Sequence, residues 1–451
     1  MDYKSAFEKL TSIGQQQLLR CWNVLTETEQ KQLLDQIQHL DIEEFSSLQH
    51  HLLFKTVPQK NYLNVFHDVF IKGSQSDQVT GKKLIAQGQV GCLVVAGGQG
   101  SRLRFDGPKG MFPVTVIQHK SLFQLLAEKV LAAGKEAQRA LPLAIMTSPS
   151  NHEETIHFFS AHRYFGLQEE QVTFFSQGEL PLLDRQGNLI LESPGKIAEG
   201  AEGNGTALQR FMENGVWNKW VQQGVRYLNF ILIDNPLADP FDAELVGFQH
   251  QQQADLVIKC IERFDPDEKV GIIVENNDKI EIVEYSEFPK EELQARDSEG
   301  ALKHRCANIS LFSFTMDFIT GVPYDHVPLH QAFKAIKYLD ENGVTKMSDT
   351  PIACKFEKFI FDLLPFANLV RVLIYPREEC FAPLKNASGP DSMMTVQEAL
   401  QRYDRMIYEK ISDRHAPTKP FELSPQFYYP TLELLERWQG KELKEGGYIE
   451  A

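Results

Sequence analysis

From residue 90 onward the chain alternates short apolar runs with amphipathic segments, and this pattern limits the possible folds more than any other feature. "VGCLVVAGG" reads as a buried strand, "SLFQLLAEKVLAAGKEAQ" as a helix, "LPLAIMTS" as a strand and "HEETIHFFSAHRYF" as a helix. "QVTFFSQG", "TALQRFMENGVWNKWVQQG" and "RYLNFILIDNP" continue the series as strand, helix and strand. Such repetition predicts an α/β fold with a Rossmann-like, mostly parallel sheet covered on both faces. Ligands in these folds sit beyond the carboxyl ends of the strands. Each glycine or carboxylate that follows an apolar run is therefore a candidate for function.

The flanks read differently. Residues 1 to about 85 carry apolar side chains at helical spacing, such as Leu33, Leu34, Ile37 and Leu40, with Thr26 or Thr28 as a helix cap. The polar stretch "IKGSQSDQVTGKK" separates this arm from the strands. "VGIIVENNDKIEIVEYSEF" looks like a hairpin around "NNDK". The expected organisation is a helical N-terminal domain over 1–88, a central domain over 89–390 and a small α+β C-terminal domain over 391–451.

With 451 residues the chain is too long for one ordinary core, and 42% apolar with 24% charged residues is a globular composition. A net charge of −15 argues against nucleic-acid binding, so any anionic ligand must be held by local cations, backbone N–H groups or a metal. No apolar run reaches membrane-spanning length, and the N-terminus has no signal-peptide core. The six cysteines are scattered without a C-x-x-C pair, as expected of reduced thiols in a cytoplasmic protein.

The stretch "CLVVAGGQGSRLRFDGPKGMFP" ends a strand in Gly97, Gly98 and Gly100, followed by Arg102 and Lys109. Missing side chains let backbone N–H groups approach a phosphate, and the two cations add fixed charge. It is neither a P-loop, for want of Lys-Ser/Thr, nor a dinucleotide fingerprint, because Leu103 stands where the third glycine belongs. Taken alone, it is also compatible with a tight turn in an α/β sheet.

The order G-G-x-G-[ST]-R-L…P-K-G, followed by "MFPV…KSLFQLLAEKVL", resembles the eukaryotic-type UDP-N-acetylglucosamine pyrophosphorylases, within the wider UDP-sugar pyrophosphorylases. "FFSQGELPLL", "GAEGNGTALQRF", "FILIDNP", "EIVEYSEF", "CANISLF" and "CFAPLKNASG" extend the resemblance in order over most of the chain. It implies a nucleotide-diphospho-sugar transferase type of sheet and a uridylyltransferase joining UTP to a hexosamine 1-phosphate, with N-acetylglucosamine 1-phosphate favoured. It also implies roles for particular residues. Gly97 and Gly98 would line the nucleotide, and Gln177 would read the uracil edge. Gly203 and Asn204 would contact uridine and sugar, and Glu284 and Asn308 the sugar hydroxyls. Arg102, Lys109 and Lys385 would be the catalytic cations, and Asp234 would hold Mg²⁺.

Plainer readings stand beside these. Gln177 reads as a polar loop residue, Asn204 as a helix cap, Asp234 as part of an Asp-Asn turn, Glu284 as a solvated strand residue and Lys196 as a surface lysine. The chain departs from the family pattern at Ser101, Arg104, Thr206 and Ala307. Arg104 replaces a glycine beside the triphosphate, and Ala307 carries a methyl expected to narrow the sugar pocket. Glucose 1-phosphate as substrate and a non-catalytic UDP-sugar-binding protein are the rivals. A nicotinamide dehydrogenase fits poorly.

Overall fold

The computed structural model describes residues 1–54, 64–277, 279–443 and 445–451. The chain packs as two compact units, and both are discontinuous in sequence. One comprises Met1–Asn61, Gly178–Thr206 and His326–Ile360; the other comprises Tyr62–Gln177, Ala207–Asp325 and Phe361–Ala451. These units cut across linear divisions at 88/89 and 390/391.

In the first unit helix Glu27–His39 forms where the apolar spacing predicts it, preceded by helix Tyr3–Ser12 and two short turns, Gln16–Leu19 and Trp22–Val24, and followed by helix Ile42–Phe54. Thr26 is the cap, and it forms a reciprocal pair with Glu29 that satisfies two backbone donors at the helix start. Leu33, Ile37, Phe45 and Leu48 turn inward against Leu183, Leu189, Leu191 and Phe356. Two-stranded ribbons complete this unit, pairing Glu179–Pro181 with Glu199–Ala201 and His330–Lys334 with Ala353–Glu357.

The second unit is built on one large sheet. Its strands are β1 (Val69–Ile71), β2 (Val90–Val95), β3 (Leu143–Thr147), β4 (Val172–Ser176), β5 (Tyr227–Leu232), β6 (Leu256–Glu262), β7 (Cys306–Thr315) and β8 (Val370–Tyr375). Their spatial order is β1-β8-β6-β7-β5-β2-β3-β4. Every neighbouring pair on this path is parallel except the two that involve β7. The unbroken apolar runs of β2 and β3 are buried on both faces, which is why they lack period-two alternation. Strands Gly271–Asn276 and Lys279–Val283 pair antiparallel, and the first extends the sheet from the start of β7.

Two local readings change. The stretch "TALQRFMENGVWNKWVQQG" is two helices, Ala207–Glu213 and Val216–Gln222, because Gly215 between them takes a left-handed backbone (φ 73°). The polar stretch around residue 75 is not a linker. It holds helix Gln75–Ala86, started by a Ser74–Asp77 capping box. Gly81 faces helix Ala243–Gln252 so closely that a Cβ there would lie 1.7 Å from the Ala243 carbonyl oxygen. A helix buried through glycine contacts shows no apolar stripe, so periodicity does not reveal it.

Candidate active site

The sheet brings two chain segments to one edge. β2 and β5 are parallel neighbours in register from Tyr227–Val90 to Leu232–Val95, so the glycine loop and Asp234 leave at the same carboxyl end. The Ile233 N–H donates to the Val95 carbonyl (3.1 Å) and continues the ladder to the turn. β7 runs against β5, so its first residues, including Asn308, lie toward the edge where β5 ends.

The glycine loop is shaped by close approaches. A Cβ on Gly97 would lie 2.7 Å from Nε2 of Gln177 and 3.4 Å from the Ser148 nitrogen. Gln177, 7% exposed, is thereby laid against bare backbone, and its own N–H donates to the Thr147 carbonyl (2.8 Å). Gly98 accepts from the Lys109 N–H (3.0 Å), and the Gly100 N–H donates to the Gly107 carbonyl (2.9 Å), which folds the loop back on itself. Asn151 ties this loop to the turn after β3: its Nδ2 donates to the Ala96 carbonyl (3.1 Å) and its Oδ1 accepts from the Ser148 N–H (2.8 Å). Sequence reasoning missed Asn151, and the "SPSN" turn after an apolar run was the available signal.

Arg102 lies exposed on the turn Ser101–Leu103. Arg104 closes that turn in the left-handed region (φ 56°), where a glycine is at ease and an arginine is strained. Its side chain is exposed, so the cost of the glycine replacement falls on the backbone.

Lys109 and Asp234 meet. Their side chains are 18% and 17% exposed, with Nζ 3.5 Å from Oδ2. Lys109 Nζ also approaches the Leu384 carbonyl oxygen (3.4 Å), and the Leu384 N–H donates to the Asp234 carbonyl (2.7 Å). Three distant segments thus converge on one point, with Lys385 the next residue along the third. The Lys385 N–H donates to the Asp391 carbonyl (2.7 Å), and its Nζ lies 5.9 Å from the Phe381 ring centre.

Asn308 and Glu284 share a strand level. Gly271 pairs with Asn308, and Ile272 pairs with both Ala307 and Val283, so Glu284, the residue after Val283, lies across the Gly271 strand from Asn308. Asn308 accepts from the Ser310 N–H through Oδ1 (3.0 Å). Ala307 is fully buried within the main apolar core.

Gly203 and Asn204 belong to the first unit. Gly203 has φ 91°, and a Cβ there would lie 2.2 Å from the Lys358 carbonyl oxygen. Asn204 accepts from the Ile360 N–H through Oδ1 (3.0 Å); its side chain is thus engaged with Ile360 instead of capping the following helix. Thr206, a glycine in the family pattern, donates to Glu202 Oε1 (2.9 Å), which also accepts from the Gly178 N–H (2.6 Å). Lys196 pairs with Glu192 (2.7 Å) on the surface.

Among the described residues no group of three or more His, Cys, Asp or Glu side chains is placed to hold a metal. Also among them, no helix is long and apolar enough to cross a membrane. Five of the six free cysteines are buried.

The mostly parallel sheet thus carries a glycine loop after one strand, a carboxylate after its neighbour and a lysine between them, and the comparisons place this arrangement in a nucleotidyltransferase. Comparison with known proteins makes this specific. The profile of the family described as UTP–glucose-1-phosphate uridylyltransferase matches residues 28–437, and the chain belongs to that family. It is 30% identical over 414 residues to UDP-N-acetylglucosamine diphosphorylase 2 of Arabidopsis thaliana, covering 86% of this chain and 80% of that one. It is 29% identical over 402 residues to UDP-N-acetylglucosamine pyrophosphorylase of Saccharomyces cerevisiae, covering 83% and 84%. The crystal structure of uridine diphosphate N-acetylglucosamine pyrophosphorylase from Trypanosoma brucei aligns with a TM-score of 0.81 at 25% identity, over 99% of this chain and 98% of that one. The chain is thus a UDP-sugar pyrophosphorylase, with UTP and a sugar 1-phosphate as substrates.

Proposed function

We propose that the protein makes UDP-N-acetylglucosamine and pyrophosphate from UTP and N-acetylglucosamine 1-phosphate. A phosphate oxygen of the sugar 1-phosphate attacks the α-phosphorus of UTP, one P–O bond forms, and the bond to pyrophosphate breaks. Catalysis of this kind rests on alignment and charge neutralisation. The observation that carries the reading is the meeting of Lys109, Asp234 and the Leu384–Lys385 backbone at the edge of the sheet. In this reading Lys109 and Arg102 steady the triphosphate, and Lys385 bears on the sugar phosphate. Gln177, laid against Gly97, presents donors and an acceptor to the uracil edge, while Gly98 leaves backbone open to the nucleotide. Gly203, Asn204, Glu284 and Asn308 are assigned to uridine and sugar.

A magnesium ion fits the donor set. Mg²⁺ takes few protein ligands and fills its shell with water and phosphate oxygens, so the Asp234 carboxylate suffices as the protein's share. When bound, it would neutralise charge on the phosphates. The names of the relatives support N-acetylglucosamine as the sugar.

The test is turnover in two variants. Lys109→Ala is expected to lower kcat on the order of 10²-fold, and Asp234→Asn to move the magnesium titration to higher concentration. Near-normal kcat in the first, or an unchanged titration in the second, removes that residue from the mechanism.

A further inference from the structure

The carboxamide of Asn235 bridges two segments that are 145 residues apart in sequence. It is 5% exposed, and both of its polar atoms are used on one stretch of backbone. Nδ2 donates to the Cys380 carbonyl (2.8 Å), and Oδ1 accepts from the Ala382 N–H (3.0 Å). Donating to a C=O while accepting from an N–H two residues on, through two separate atoms, is something a carboxamide does and an acceptor-only carboxylate does not. With the Leu384 N–H on the Asp234 carbonyl, three hydrogen bonds sew Asp234–Asn235 to residues 380–384. Pro383 stiffens the step from Ala382 toward Lys385. On the other side, buried Lys129 donates to the carbonyls of Pro236 (2.6 Å) and Ala238 (3.0 Å), so the turn after Asp234 is anchored as well.

We infer that Asn235 is a positioning residue: it sets the place of Lys385 relative to Asp234, and so the alignment of the sugar phosphate with the α-phosphorus. The inference rests on the uridylyl-transfer reading. Asn235 touches neither substrate. Its effect passes through Lys385, and displacements of about 1 Å cost on the order of 10²-fold in rate when alignment is the main source of catalysis.

The experiment is a double-mutant cycle on Asn235→Ala and Lys385→Ala, read by steady-state kinetics and by calorimetric titration with UDP-N-acetylglucosamine in EDTA. Asn235→Ala is expected to lower kcat by at least about 10-fold and to leave the KM for UTP within about 2-fold. It is expected to weaken UDP-N-acetylglucosamine binding by the same factor as Lys385→Ala. The double variant should be little worse than either single one, because residues acting as a unit are not additive. Should Asn235→Ala fail to fold, Asn235→Ser keeps the site neutral and polar, has a single oxygen in place of the two atoms that now bridge Cys380 and Ala382, and is expected to show the same kcat and KM split. Unchanged kcat, or effects of the two substitutions that multiply, overturns the inference. Wild-type protein that neither binds UDP-N-acetylglucosamine nor releases pyrophosphate overturns the functional reading instead.

Discussion

Gly97 shows at the scale of one residue why the glycine loop has its sequence. Its hydrogen atom faces the Gln177 amide where a methyl would sit 2.7 Å away, inside van der Waals contact. Gly97→Ala is therefore expected to push Gln177 from its place and raise the KM for UTP about 10-fold, the worth of one good hydrogen bond. Because the phosphate end is untouched, kcat should hold; an unchanged KM would show that Gln177 does not read the base. Gly97 and Gln177 were legible in the sequence as separate motifs, but their contact was not, since they stand 80 positions apart in the chain. The same limit hid Asn235 and Asn151, whose partners are set by the fold. Arg104 was legible as an anomaly, and the structure locates its cost in a left-handed backbone with the side chain directed to solvent.

Helix Met393–Ser412 carries a buried carboxylate at its centre. Asp404 accepts from the Tyr428 hydroxyl (2.7 Å) and the Leu423 N–H (3.2 Å), joining the helix to the C-terminal segment. Burial, the largest influence, pushes its pKa from 3.8 up to about 7. Asp239, which accepts from the Tyr429 hydroxyl, is pushed up to about 6, again mainly by burial. A carboxyl whose folded pKa exceeds its unfolded one binds more protons in the folded state. Stability then falls as pH rises between the two values, here between about 4 and 7. Asp404→Asn keeps an acceptor for Leu423, and its amide can donate to the Tyr428 oxygen. Thermal unfolding is expected to show it more stable than wild type by about 1 kcal/mol or more at pH 8. Its loss of stability with pH should flatten about one unit lower than in wild type, because Asp239, pushed up to about 6, is the raised carboxyl that still titrates. A variant less stable than wild type at pH 8, or one whose stability changes with pH as wild type's does between 6 and 8, contradicts this. The elements themselves followed the sequence where burial is two-sided or the apolar stripe is clean, as in β2, β3 and Leu122–Ala137. Helix Gln75–Ala86 and the break at Gly215 were hidden because glycine geometry, not apolar period, determines them.

For the whole molecule, the sequence order of the motifs is not the order of packing. The N-terminal helices share a unit with Gly178–Thr206 and His326–Ile360, and the C-terminal segment shares one with the sheet. Linear domain bounds follow composition, whereas packing follows long-range contacts that one sequence does not display. The chemistry was more legible, because the strand ends bearing Lys109, Asp234 and Lys385 are marked by local motifs, and the parallel β2–β5 pairing brings two of them to one edge. The central claim is that this edge joins UTP to N-acetylglucosamine 1-phosphate. The most direct measurement is pyrophosphate release by the purified protein with UTP and magnesium, comparing kcat/KM for N-acetylglucosamine, N-acetylgalactosamine and glucose 1-phosphates. The account predicts release with the highest kcat/KM for N-acetylglucosamine 1-phosphate; no release with any of them, or a preference for glucose 1-phosphate, would contradict it.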